Sequence, residues 1–166
     1  MSAELETCPG CGLSLPRLDG PSHPYIGASV SCWERFGRLL AREFQDPAYF
    51  AVHQVTVDAY AAQHPGGPER RAIQSVGLHL MTLALVIEDG ADPRLGPDLH
   101  RQMVSRPSFE WLRPPDMSGV TTVLDVLEAS DPAAHERAVL AWGADVWGAW
   151  AAHHETVRAW LKQSFT

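Results

Sequence analysis

Residues 29–44 read SVSCWERFGRLLAREF and indicate the fold class of the chain. Either Ser29 or Ser31 can cap the start of a helix, because a short hydroxyl side chain accepts a hydrogen bond from a free N–H group of the first turn. Apolar residues then recur at helical spacing, at Trp33, Phe36, Leu39, Leu40 and Phe44. The stretch therefore predicts a helix with one face in a core, and Cys32 lies at its start.

Helical signals continue downstream of this stretch. Asp46-Pro47 predicts a second helix, with Asp46 as its cap and Pro47 in its first turn. That helix should run to about Gln63, because the sequence HPGGP at residues 64–68 must end it. Further helices are predicted from about Glu69 to Asp89, near Leu99–Val104, near Thr121–Ala129 and from Pro132 to about Gln163. The expected fold is mainly α: a helical bundle of residues 31–166 in a single domain, residues 1–166.

Upstream of the first helix the chain is irregular. Residues 8–30 are rich in Gly, Pro and Ser, and they need a further interaction to order them. All three cysteines of the chain lie nearby, at Cys8, Cys11 and Cys32. A Cys-x-x-Cys turn followed by Gly12 suits a tetrahedral metal, because the tight turn lets both thiolates face the same way. Residues 1–30 are therefore predicted to form a metal-tied arm, with a small hairpin around the cysteines.

Zinc is the metal expected for thiolates combined with an imidazole. Three sulfurs leave one tetrahedral position open, and the chain has eight histidines to fill it. We expect His53, near the beginning of the second helix, to be the fourth ligand. His23 within the arm is the alternative, and His64 and His79 are further candidates.

The second helix also carries a polar face. His53, Tyr60 and His64 share one face at helical spacing, Asp58 lies on the adjacent stripe, and His79 lies within an apolar part of the third helix. Each histidine can simply be satisfied by a local hydrogen bond. Alternatively, Asp58, Tyr60, His64 and His79 form a catalytic pocket beside the metal, with a histidine as general base and the tyrosine as acid.

Several motifs together resemble a bacterial family of uncharacterised proteins, a domain of unknown function. They are listed here in chain order: CPGCG at residues 8–12, SCW at 31–33, VDAYAAQHPG at 57–66 and SVGLHL at 75–80. The resemblance implies that these residues belong together, and it implies no reaction. The segment HHETVR at 153–158 is more weakly similar to the last helix of DinB-like metal-binding bundles, many of them thiol-dependent transferases. This segment lacks their His-x-x-x-His pair.

Composition narrows the classes of function. The formal net charge is −7 and Arg70-Arg71 is the sole basic pair, so we expect no nucleic-acid partner. No stretch approaches the roughly 20 apolar residues of a membrane span, and the N-terminus lacks an apolar leader. We therefore expect a cytoplasmic protein, in which the cysteines bind zinc rather than pair as disulfides. Its predicted role is to bind a small molecule or, through Phe109–Leu112, a protein partner, with a metal-dependent enzyme as the alternative.

Overall fold

The computed structural model describes residues 3–105 and 107–166. These residues form eight α-helices and one two-stranded sheet, which confirms the prediction of a mainly α helical bundle with an N-terminal arm. None of the described helices combines the length and apolarity needed to cross a membrane.

The arm begins with a hairpin. Strands β1 (Leu5–Thr7) and β2 (Ser14–Pro16) pair in an antiparallel manner, and Cys8 and Cys11 lie in the connection between them. The Cys8 N–H donates to the Leu13 carbonyl at 2.8 Å, and the Gly12 N–H donates to the Cys8 carbonyl at 2.9 Å. Gly12 has a φ of 76°, a conformation that glycine adopts without steric cost. These local bonds close the turn that carries the two cysteines.

Helix α1 (Val30–Gln45) begins and ends where the sequence predicts. The Ser29 hydroxyl accepts a hydrogen bond from the Cys32 N–H at 3.2 Å and so caps the helix. Asp46 ends α1 in an extended conformation and caps α2 (Pro47–Phe50) by accepting from the Ala48 N–H at 2.9 Å. Ser29 is thus the cap, and the Asp46-Pro47 restart is confirmed.

The second predicted helix is divided in two. It breaks at Ala51 and Val52, and α3 (His53–Gln63) begins after the break. Val52 has a φ of −107° and a ψ of 11°, outside the helical range, and its side chain is buried. The new direction brings α3 into the centre of the bundle, where eight of its eleven residues are buried. A helix buried on nearly all sides lacks the polar stripe of a surface helix, so its buried polar groups need partners.

The remaining helices complete the bundle. Helix α4 (Arg70–Ile87) returns against α3 after a short connection, and α5 (Gly96–Met103) and α6 (Val123–Leu127) follow. The prediction of one long final helix is wrong. Helix α7 (Pro132–Ala149) ends before Trp150, and α8 (His154–Phe165) begins after a turn of 3₁₀ helix, Ala151–His153. Buried Trp150 donates from its indole to the Ala62 carbonyl at 3.0 Å. The residue at the break thus connects the end of α7 to α3.

Candidate metal centre

Four side chains converge where the arm meets the bundle. Cys8 and Cys11 come from the hairpin turn, Cys32 from the first turn of α1, and His64 from the residue directly after α3. Their sulfur and nitrogen atoms all lie within 4.8 Å of one another, and all four residues are buried. The arrangement is a set of three thiols and one imidazole that can hold a metal ion.

Two interatomic distances within the cluster agree with tetrahedral coordination. The sulfurs of Cys11 and Cys32 lie 3.8 Å apart, and the Cys32 sulfur lies 3.5 Å from Nε2 of His64. With Zn–S bonds of about 2.3 Å and a Zn–N bond of about 2.0–2.1 Å, tetrahedral ligands lie about 3.8 Å (S to S) and about 3.6 Å (S to N) apart. These two edges of the cluster therefore match the spacing of ligands around a tetrahedral metal ion of this size.

The imidazole of His64 is held in the tautomer that a metal needs. Its Nδ1–H donates to the Tyr60 carbonyl at 2.7 Å, since a carbonyl oxygen can only accept. Nε2 therefore keeps its lone pair, and that atom faces the sulfur of Cys32. A histidine ligand is typically oriented through its second nitrogen in this way. The ring also stacks on Tyr60, with centroids 4.0 Å apart.

Close packing holds the arm against the end of α3. A Cβ atom at Gly10 would lie 2.4 Å from Cδ2 of His64 and 2.9 Å from the Gln63 carbonyl oxygen, so this position between the two cysteines admits only glycine without a shift. The Gly27 N–H donates to the His64 carbonyl at 2.8 Å, and Ile26 forms a β-bridge with Pro65. The arm therefore contacts the His64 segment on both sides of the cluster.

The three thiols and Tyr60 are electrostatically linked. Hydrogen bonds from Cys11 and Cys32 lower the pKa of the Cys8 thiol, whereas hydrogen bonds to Cys11 and Cys8, together with burial, raise the pKa of Cys32. Burial raises the pKa of Tyr60, whose hydroxyl donates to the Cys32 sulfur at 3.4 Å. One thiolate among three buried thiols opposes further ionisation, and a divalent cation at the centre would allow all three to ionise.

The structure places His64 beside the cysteines, and it places the expected fourth ligand, His53, elsewhere. His53 lies at the opposite end of α3, about 16 Å from His64 at a rise of 1.5 Å per residue, because α3 approaches the arm with its C-terminal end. Nδ1 of His53 is 2.7 Å from a carboxylate oxygen of buried Glu43. Thr56 donates to the other oxygen of Glu43 at 2.5 Å, and Nε2 of buried His135 lies 3.0 Å from it. His53 therefore belongs to a separate network that joins α1, α3 and α7.

The other candidate residues are divided between two places. His23, the alternative ligand within the arm, lies beside Tyr25 with ring centroids 4.1 Å apart. His79 on α4 contacts Asp58, with Nδ1 2.7 Å from the carboxylate oxygen. Of the four candidate catalytic residues, Tyr60 and His64 thus lie at the cysteine cluster, and Asp58 and His79 form a second group.

A cleft of about 440 Å³ lies next to the centre. The arm and α1 line it with aromatic side chains, α4 adds polar ones, and Tyr60, which also lines it, donates to the Cys32 sulfur. The lining residues are His23, Tyr25, Ile26, Trp33, Phe36, Val57, Tyr60, Ala61, Arg71, Gln74, Ser75, Leu78 and His79. Because one side belongs to the arm and the other to the bundle, the shape of the cleft depends on how the arm is held.

Fold and site together define a mainly helical protein with a buried cluster of three cysteines and one histidine. Residues 6–151 match a family described as Family of unknown function (DUF5946), and the chain belongs to that family. The predicted resemblance to a family of uncharacterised proteins is therefore confirmed. No curated protein and no solved structure matches the chain.

Proposed function

We propose that Cys8, Cys11, Cys32 and His64 bind one structural zinc ion, and that this ion holds the arm in place to complete a small-molecule binding cleft. The observation that carries the zinc assignment is the agreement of the S–S and S–N distances with the edges of a tetrahedral zinc site. Thiolates favour zinc over harder cations such as magnesium or calcium.

A structural role follows from the number of ligands and from their burial. Four protein ligands complete the tetrahedron, so no position remains for water or substrate. All four side chains are buried, and Cys32 and His64 have no solvent exposure. The metal would then act through the arm, because residues 8–30 contain few large apolar side chains of their own.

The ligand of the cleft is proposed to be a small organic anion with a flat apolar part. Trp33 and Tyr25 offer aromatic surface on the arm side, and exposed Arg71 supplies a positive charge at the edge. Gln74 and Ser75 add hydrogen-bonding groups beside Arg71. Mostly apolar linings with a few polar groups are typical of small-molecule sites.

The metal assignment is tested by elemental analysis of protein purified without chelator. We expect about one zinc per chain in the wild type and in the control variant His53→Asn, and a large loss in His64→Asn. Cobalt substitution should give an intense thiolate-to-cobalt charge-transfer band in the first two proteins. Metal-free protein with three titratable thiols, or equal zinc in His64→Asn and the wild type, would contradict the assignment.

The cleft assignment is tested by screening small aromatic carboxylates and phosphates for thermal stabilisation of the zinc-loaded protein. A genuine ligand should lose affinity at least tenfold in Trp33→Leu and in Arg71→Gln. Trp111→Leu is the matched control, because Trp111 is exposed and lies outside the cleft. Hits that respond equally to all three substitutions would show that they bind elsewhere.

A metal-dependent enzyme is the second candidate function. It is favoured by the 2.7 Å contact between Asp58 and Nδ1 of His79, because this contact orients an imidazole that lines the cleft. Tyr60 and His64 fit the catalytic role less well, since both are buried and directed at the cysteine cluster. X-ray absorption at the zinc edge, on protein that holds one zinc per chain, separates the two functions: three sulfurs and one nitrogen indicate a structural ion, and a bound water indicates a catalytic one.

A further inference from the structure

We propose that Asp58, His79 and His100 form a second binding site for a divalent cation, separate from the cysteine centre. The three side chains come from α3, α4 and α5, and their ligand atoms all lie within 4.8 Å of one another. Nδ1 of His79 is 2.7 Å from Oδ1 of Asp58, and Nε2 of His100 is 3.7 Å from the same oxygen. Two imidazoles and a carboxylate are a common ligand set for divalent transition metals.

The buried carboxylate points to a ligand. Asp58 has no solvent exposure, and its Oδ1 accepts hydrogen bonds from the Gln54 amide and from His79, each at 2.7 Å. Its other oxygen, Oδ2, is buried and has no hydrogen-bond partner among the described residues. Such an oxygen costs free energy unless a donor or a cation contacts it. A cation that both carboxylate oxygens and the two imidazoles bind would supply that contact.

The neighbouring residues orient the histidines and determine which ring nitrogen is free to bind a metal. The Gln54 amide nitrogen, which can only donate, lies 3.4 Å from Nε2 of His100, so this nitrogen carries the lone pair that a cation needs. Gln54 reaches this position because Gly96 lacks a side chain: a Cβ there would lie 2.2 Å from the Gln54 side chain. Metal binding would replace the proton on Nδ1 of His79, and the contact with Asp58 would lengthen to about 3.3 Å, the spacing of tetrahedral ligands with bonds of about 2.0–2.1 Å.

The site is open towards solvent, unlike the cysteine centre. The side chains of His79 and His100 are 16% and 24% exposed, and His79 also lines the cleft. Three protein ligands leave at least one coordination position for water or for a ligand of the cleft. The ligand set contains no sulfur, so it suits Zn²⁺, Fe²⁺, Mn²⁺, Co²⁺ or Ni²⁺. The two proposed centres therefore differ in donor chemistry, and spectroscopy can separate them.

The experiment adds Co²⁺ to the whole chain after it has been loaded with one zinc per chain, the amount that the cysteine centre takes. The wild type should take up about one Co²⁺ per chain and show visible absorption without a thiolate charge-transfer band. His100→Gln and Asp58→Asn should each weaken this binding at least tenfold. His23→Gln is the matched control, because His23 lines the same cleft without belonging to the cluster, and it should bind Co²⁺ as the wild type does.

Two results would overturn the proposal: no cobalt uptake by the zinc-loaded wild type, or undiminished uptake by His100→Gln. Circular dichroism and retention of zinc show whether each variant is folded. If buried Asp58→Asn does not fold, the partly exposed His100 still decides the question. If fully cobalt-substituted protein showed no thiolate charge-transfer band, this would contradict the proposed cysteine centre but not the second site. The two proposals can therefore fail independently.

Discussion

Replacing Glu43 with glutamine tests the polar network at the centre of the bundle. The Glu43 carboxylate has no solvent exposure and contacts His53, Thr56 and His135 at 2.7, 2.5 and 3.0 Å. A hydrogen bond to a charged acceptor contributes about 1.5–3 kcal/mol and a neutral one about 1 kcal/mol. Glutamine keeps the shape but loses the charge, and its NH2 group, which only donates, replaces one of the two accepting oxygens. After allowing for the carboxylate desolvation that the variant avoids, we expect a loss of about 2–4 kcal/mol in the free energy of unfolding.

Urea unfolding followed by circular dichroism measures this loss, with the slope against urea expected to stay constant. The control is Glu136→Gln, which removes an exposed carboxylate from the residue next to His135 and should change stability by less than about 0.5 kcal/mol. If Glu43→Gln and Glu136→Gln were equally stable, the network would contribute nothing and the reasoning would be refuted.

The difference in stability between the wild type and Glu43→Gln should also depend on pH. Burial opposes ionisation of Glu43, but hydrogen bonds from His135, His53 and Thr56 outweigh it and lower the pKa of Glu43 below its ordinary value of 4.5. A lowered pKa in the folded state means that the stabilisation is present above the unfolded-state pKa and is lost as the pH falls through the folded-state pKa. The stability difference between the wild type and Glu43→Gln should therefore be constant near neutral pH and shrink below about pH 4.5.

The remaining predictions concern the cysteine centre. Cys8→Ser should expose residues 8–30 to limited proteolysis while most of the helical circular dichroism remains, and global unfolding would contradict this. Gly10→Ala should lower zinc affinity at least tenfold in a chelator competition, because the added Cβ meets His64 at 2.4 Å. Gly37→Ala, at an open position in α1, should keep its zinc and gain about 0.5–1 kcal/mol of stability. Zinc release should increase as the pH falls, because protons compete for the thiolates, and a dye that binds free zinc would measure it.

Local signals in the sequence predicted much of the helical structure. The Ser29 cap and the Asp46-Pro47 restart depend on hydrogen bonds between residues at most three positions apart, so they can be recognised without a tertiary structure. The spacing of the cysteines also predicted that Cys8, Cys11 and Cys32 would lie together, and the structure brings them within 4.8 Å. Their coordination of zinc stays a prediction.

Tertiary packing decided where two predicted helices break. Neither Val52 nor Trp150 is a helix-breaking residue, and both are buried. At Trp150 the Trp147 carbonyl accepts from Nε2–H of His154 at 2.7 Å in addition to the Trp150 N–H, and the indole of Trp150 donates to the Ala62 carbonyl of α3. The bond from Trp150 to Ala62 joins distant parts of the chain, so the pattern of apolar residues along a single helix does not reveal it.

Tertiary structure also decided which histidine lies beside the cysteines. The sequence determined that an imidazole was available on the polar face of α3, at both His53 and His64. The direction of α3 in the bundle decides which of its two ends, and so which histidine, lies beside the cysteines. That direction is set by the burial of eight α3 residues and by the bond from Gly27 to the His64 carbonyl. Helix formation depends on neighbours within about four residues, whereas a four-ligand site depends on contacts between residues 8 and 64, which only the folded chain brings together.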